Sequence, residues 1–138
     1  MAKGFDDFGA RMSKRAEKIT RGIERRVRGA ALVIDQVLVM STPVDTGRAR
    51  ANWITSLGAP EFREVENPGS GQAHATALAQ GKTVVARWRV GGGPIFISNS
   101  VPYITFLDDG SSAQAPEGMT AQAIAAGAAY LRREAEGR

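Results

Sequence analysis

The chain has 138 residues, the size of one domain, and its 43% hydrophobic and 23% charged residues exclude a wholly disordered protein. The net charge is +4, and the sequence has no cysteine and one histidine, which excludes disulfides, thiol catalysis and cysteine- or histidine-rich metal sites. No apolar run reaches the roughly 18 residues of a membrane span, and the first residues lack the apolar core of a secretion signal. We therefore expect one soluble domain over residues 1–138, made in the cytoplasm and without membrane contact.

A long amphipathic helix is predicted over residues 1–40. Between Phe5 and Leu38, ten apolar residues recur over 33 residues in nine steps, a helical period of about 3.7. Some 35 helical residues span about 50 Å, more than the width of a domain of this size. We expect the 30–40 end to be buried and the other end to project, covering its apolar seam with a neighbouring subunit. The residues of this seam are Phe8, Met12, Ile19 and Ile23.

Positive charge is concentrated at the same end of the chain. Residues 1–28 hold nine basic and four acidic side chains, whereas the other residues hold nine basic and ten acidic ones. Five of the basic residues recur at helical spacing and could contact DNA or an acidic protein: Lys14, Lys18, Arg21, Arg25 and Arg28. The same residues could form a solvated face, with Glu17–Arg21 and Glu24–Arg28 as i,i+4 pairs. Because this face lacks aromatic residues that would stack on bases, the pattern favours solvent or protein docking over nucleic acid.

The middle of the chain alternates between turn-forming and β-forming residues. Pro43 ends the first helix, and a strand is predicted at 52–57. Gly, Pro, Ser and Ala dominate residues 58–81, which indicates a flexible surface loop, with a short helix possible at 73–80. Alternation at 83–90, three glycines and then 94–99 predict a β-hairpin with a glycine turn.

Two further helices are predicted in the C-terminal third. The first is short and covers 101–109, and after a loop at 111–118 an Ala-rich helix covers 119–133. The predicted fold class is α+β: a long N-terminal α-helix, a small antiparallel β-sheet with a glycine-turn hairpin, a short helix and a C-terminal helix.

Catalytic chemistry has little support in the sequence. Gly81-Lys82-Thr83 resembles the end of a phosphate-binding loop, but position 76 is threonine instead of the required glycine, and a strand is predicted to follow. His74 falls in the predicted loop without a nearby carboxylate. We therefore expect no enzyme activity, no catalytic, cofactor-binding or metal-binding residues, and no cofactor.

Three motifs occur in order after the long helix. The first segment, residues 42–53, contains Pro-Val-Asp-Thr-Gly-Arg-Ala-Arg at 43–50, and the second, residues 97–112, contains Asn-Ser-Val-Pro-Tyr at 99–103. The third, residues 114–119, reads Gln-Ala-Pro-Glu-Gly-Met. Their order and spacing resemble the tail-completion, or head–tail joining, proteins of long-tailed bacteriophages and gene transfer agents. The resemblance runs from the first helix to about Ala129. Asp108-Asp109 departs slightly from the family pattern, in which an acidic residue and an aromatic residue or leucine precede a Gly-Ser turn.

The resemblance implies a structural virion protein with an α+β fold. Such proteins form a homo-oligomeric ring, commonly of six copies, at the neck–tail junction. The implied partners are tail-tube proteins, neck, stopper or tail-terminator proteins, and DNA passing through the channel. A long helix with an uncovered seam fits this role. The alternative is a free nucleic-acid-binding protein that uses the basic helix.

The two acidic residues at the end of the short helix are expected to need a cation. Asp108 and Asp109 fall where the helix dipole disfavours negative charge. Arg48 and Arg50 follow the first motif and are the candidates, since a guanidinium makes a two-point contact with a carboxylate. We predict that at least one of these arginines meets Asp108 or Asp109, within the subunit or across the ring interface.

Overall fold

The computed structural model describes residues 2–43, 47–111 and 118–137. The predicted turn at 43–47 and the loop at 111–118 lie largely outside the described residues. The elements in chain order are α1 (Ala2–Ser41), α2 (Arg48–Ala51), β1 (Ile54–Leu57), α3 (Ala73–Val85), β2 (Ile95–Ser98), α4 (Ile104–Phe106), a π-helical turn (Leu107–Ser111) and α5 (Met119–Glu136). This mixture of helices and an antiparallel sheet confirms the α+β class.

Helix α1 is as long as its periodicity predicts, and its two halves have different surroundings. Residues 4–19 are all exposed, whereas Ala30, Leu38 and Val39 are buried. The helix ends two residues before Pro43, where the buried Thr42 hydroxyl donates to the Leu38 carbonyl at 2.6 Å and accepts from the Trp53 indole N–H at 2.7 Å. The core therefore surrounds the C-terminal half of α1.

Helix α5 covers this buried half of α1. A Cβ on Gly127 of α5 would lie 2.7 Å from the Ile34 side chain, so the absence of a side chain lets the two helices approach closely. A core cluster of buried residues joins the two helices to α3 and to the residue before β1. Its buried members are Leu38, Val39, Trp53, Ala77, Met119 and Ala123.

The sheet has two antiparallel strands, and it differs from the predicted hairpin. Strand β1 pairs directly with β2, with Ile54 opposite Ser98 and Leu57 opposite Ile95. The strand and hairpin predicted at 83–99 are wrong, because residues 83–85 end helix α3 and residues 86–94 are an irregular connection. Only the second half of the predicted hairpin is a strand.

Helix α3 also shortens the predicted 58–81 loop. The helix suggested at 73–80 forms but continues to Val85, so the irregular segment is 58–72. Ala73, Ala77, Gly81 and Val84 recur at helical spacing and are buried. Burial of this helical face outweighs the strand preference of the valines at the end of α3.

Candidate interaction surface

The first half of α1 carries the apolar seam predicted from the sequence. We call residues 4–23 of α1 the arm. The exposed fractions of the seam residues on the single chain are 56% for Phe8, 48% for Met12, 57% for Ile19 and 40% for Ile23. Phe5, one turn earlier, is 79% exposed. Exposure of the seam in one chain is thus confirmed, and its burial in an assembly stays a prediction.

The predicted basic ridge divides into an exposed part and an anchored residue. Lys14, Lys18, Arg21 and Arg25 are exposed on α1. Arg28 instead donates through Nε to the Trp88 carbonyl oxygen at 2.9 Å, and Glu24 accepts from the Val90 N–H at 3.0 Å. These two contacts fix α1 to the 88–90 connection, so Arg28 does not belong to an exposed ridge.

Arg48 and Arg50 bind other groups within the chain than the predicted aspartates. Arg48 makes a two-point contact with Glu64, at 2.8 and 3.0 Å, and its guanidinium lies 5.7 Å from the centre of the Tyr103 ring. The hydrogen bond from Arg48 lowers the pKa of Glu64. Arg50 donates to the carbonyls of Thr42 and Met40 at the end of α1, where cations interact favourably with the helix dipole.

Among the described residues, the carboxylate of Asp108 contacts a helix N-terminus and no arginine. Its Oδ1 accepts from the backbone N–H of Thr120 at 2.8 Å, in the first turn of α5. An aspartate at this position satisfies an otherwise unpaired N–H and interacts favourably with the positive end of the helix dipole. In the sequence, Asp108 lies near the end of one predicted helix, and only folding brings it beside the start of α5. Asp109 is exposed, and its contact with an arginine across a subunit interface stays a prediction.

The first two motif segments lie side by side. Asn99 donates to the Ala49 carbonyl at 2.8 Å and accepts from the Val101 N–H at 3.1 Å. Asn52 donates to the Arg48 carbonyl and accepts from the Val65 N–H. The two asparagines therefore use both ends of their side-chain amides to hold α2 against the end of β2 and the exposed segment after β1.

An apolar groove lies at the base of the arm, and sequence reasoning did not predict it. It is formed by α1, α5 and the connection before β2, and it has a volume of about 280 Å³. The main lining residues are Val27, Ile34, Trp88, Pro94, Ile95 and Leu131, and we call this set the groove. The Trp88 indole N–H donates to the Gly93 carbonyl at 2.8 Å, which fixes the ring against the turn.

Asp35 is a buried acidic residue in the half of α1 that enters the core. It is 1% exposed, and burial raises its pKa from 3.8 to about 7. Its carboxylate faces Gly81, where a Cβ would overlap Oδ2 and would lie 3.3 Å from the Thr55 hydroxyl. Among the described residues, neither carboxylate oxygen has a hydrogen-bond partner. The signal available in the sequence was one acid inside an otherwise apolar stretch.

His74 and Gly81-Lys82-Thr83, the two sequence candidates for catalysis and phosphate binding, both belong to α3. The described residues contain no group of three or more histidine or acidic side chains placed to hold a metal. His74 is exposed, and Gly81-Lys82-Thr83 lies inside α3 instead of forming a phosphate-binding loop. No helix in the described part of the chain is long and apolar enough to cross a membrane.

No protein-family model, no curated protein and no solved structure matches this chain. Its functional interpretation therefore depends on the geometry above and on the three sequence motifs.

Proposed function

We propose that the protein is a structural subunit of a virion, a tail-completion or head–tail joining component. In this role it forms a ring of six copies at the neck–tail junction, around the passage for DNA. The observation that carries the proposal is the arm. It is a helix that leaves the body of its own chain with a row of large apolar side chains exposed.

The exposed seam favours an assembly role. A contiguous apolar patch on one chain is typical of a surface that another protein covers. Burying each large apolar side chain contributes about 1.5–3 kcal/mol, so the four seam residues together can drive association. The order of the three motifs then points to a phage-like particle as the setting for this assembly.

The motif geometry supports a structural role for the first two segments. The side-chain amides of Asn52 and Asn99 form hydrogen bonds with backbone groups of nearby segments. Arg48 bridges to Glu64 and lies over Tyr103. Such contacts stabilise the fold and fix the shape of its surface, as a ring subunit requires.

Loss of the protein from a particle-producing strain tests the proposal. Electron microscopy should show separate filled heads and tails, and the unchanged gene should restore joined particles. Ile19→Asp with Ile23→Asp should fold but fail to restore joining, because two charges interrupt the seam. Phe62→Asp, at an 81% exposed position outside the seam, is the matched control and should restore it. Normal particles without the protein would refute the proposal.

Nucleic-acid binding is the second candidate, and the exposed cations of the arm favour it. Lys14, Lys18, Arg21 and Arg25 are all exposed on one helix. If they contact phosphates, the isolated chain should bind duplex DNA with an affinity that falls steeply with salt. Lys14→Ala with Lys18→Ala should lower both the affinity and the salt slope, whereas Arg132→Ala on α5 should not. Fluorescence anisotropy with a short duplex measures both quantities.

A further inference from the structure

The tip of the arm differs in charge and composition from the rest of it. We call residues 4–10 the tip. It presents Phe5 and Phe8, and its charged residues are Asp6 and Asp7. Residues 11–28, in contrast, hold eight basic and two acidic side chains. The tip is therefore an aromatic and acidic segment at the end of a basic helix.

The groove has the complementary properties. Its lining is apolar, and its volume of about 280 Å³ exceeds the roughly 150 Å³ of an apolar cavity that holds benzene. Basic residues outnumber acidic ones at its edge: Arg28 and Arg89 both donate to the carbonyl oxygen of Trp88, at 2.9 and 3.0 Å, and the carboxylate of Glu24 lies 3.6 Å from Arg28. Arg132 directly follows the lining residue Leu131 and is exposed. An aromatic side chain next to a carboxylate fits such a site.

The tip cannot reach the groove of its own chain. Val27 of the groove and Phe8 of the tip belong to the same uninterrupted helix, which contains no proline. They are 19 residues apart, which corresponds to about 28 Å along the helix axis. A second copy of the chain can bring its tip to the groove without bending either helix.

We infer that the tip of one copy docks in the groove of the next copy. A phenylalanine ring of the tip enters the apolar lining, and Asp6 and Asp7 face the arginines at its edge. The inference rests on the proposed ring-forming function and names the surface and the partner that form the ring. Because tip and groove are different surfaces of one chain, the contact is head-to-tail and can close into a ring.

Mixing two defective full-length chains tests this inference. The tip variant is Phe5→Ser with Phe8→Ser, and the groove variant is Leu131→Glu, which introduces an acid at a position that is 42% exposed. Each variant alone should self-associate at least about tenfold more weakly than the unchanged chain. Mixed together, they should form one-to-one dimers and nothing larger, since only one intact tip and one intact groove meet. Analytical ultracentrifugation with one variant fluorescently labelled measures both results.

Controls separate these effects from misfolding. Phe62→Ser replaces an aromatic residue that is 81% exposed outside the tip, and Ile124→Glu adds the same acid to α5 at a 60% exposed position outside the groove. Both should self-associate like the unchanged chain. Circular dichroism should show the same helix content for all variants.

Three results would overturn the inference. Unchanged association of the tip variant would exclude the tip. Loss of association in the tip variant but not in the groove variant would indicate that arms pair with each other. An unchanged chain that stays monomeric at every concentration but joins tails in particles would show that another protein covers the tip, and it would leave the proposed function standing.

Cysteine cross-linking gives an independent readout, because the chain has no cysteine of its own. Phe8→Cys and Leu131→Cys chains, mixed and oxidised, should give a covalent dimer of one chain of each kind. A dominant Phe8→Cys homodimer would contradict tip-to-groove docking.

Discussion

The two halves of α1 have the same apolar period but different surroundings. In the N-terminal half the apolar residues form one narrow row, and Ile19 on that row is 57% exposed. In the C-terminal half extra apolar residues widen the row, and Leu38 and Val39 are buried between α3 and α5. The period determines that both halves are helical, whereas the width of the apolar stripe determines which half enters the core.

Truncating one side chain in each half of α1 should give the largest difference in stability between the two halves. Leu38→Ala leaves a cavity in the core and should lower the free energy of unfolding by about 3 kcal/mol. Ile19→Ala changes an exposed side chain and should alter it by no more than about 0.5 kcal/mol. Urea unfolding at concentrations low enough to keep the chain monomeric measures both. Equal losses would mean that the arm packs against its own chain.

The buried carboxylate of Asp35, in the C-terminal half of α1, should make the stability of the protein depend on pH. The folded-state pKa of Asp35, about 7, exceeds the unfolded value of 3.8, so the folded protein binds an extra proton between these values. This group therefore makes the protein most stable below about pH 4, and the contribution is lost as the pH rises towards 7.

Asp35→Asn should stabilise the protein at pH 8 and do so less at pH 5. The raised pKa corresponds to roughly 4 kcal/mol, but the amide is itself a buried polar group, so we expect a gain of about 2 kcal/mol at pH 8. Thermal and urea unfolding across this pH range give the measurement. Asp7→Asn on the arm is the control for the change from carboxylate to amide. A pH-independent effect of Asp35→Asn would show that Asp35 is already deprotonated in the folded protein, so that its pKa is not raised by burial.

The same contrast explains which parts of the structure could be predicted. Helices α1 and α5, the strand at 54–57 and the strand at 95–98 follow from local patterns. The helical structure of residues 83–85 does not follow from their local pattern, because their alternation suits a strand. The burial of Ala77 and Gly81 in the same element favours the helix. Periodicity alone cannot reveal that a face of small residues is needed for close packing.

The candidate surface was predictable to the extent that it belongs to one helix. The seam of Phe8, Met12, Ile19 and Ile23 was found from its spacing. The groove joins residues from three distant segments, such as Val27, Trp88 and Leu131, so it exists only after folding. The partner of Asp108 was missed for the same reason, since α5 begins eleven residues further along the chain but next to it in space.

The border between the two halves is testable with two similar ion pairs, and this is the smallest expected effect. Arg21 lies 3.9 Å from Glu17, and Arg28 lies 3.6 Å from Glu24, so both pairs have the same spacing on α1. The Arg21 and Glu17 side chains are 67% and 68% exposed, and such pairs contribute little to stability. Arg28 is 26% exposed and also binds the Trp88 carbonyl, which Ala would leave without this donor.

Arg28→Ala should therefore lower the free energy of unfolding by about 1 kcal/mol, and Arg21→Ala should produce no measurable loss. Urea unfolding of the two variants compares them directly. Equal losses would mean that α1 already packs against the rest of the chain one turn or more before Glu24. The predicted difference would mean that this packing begins between Arg21 and Arg28.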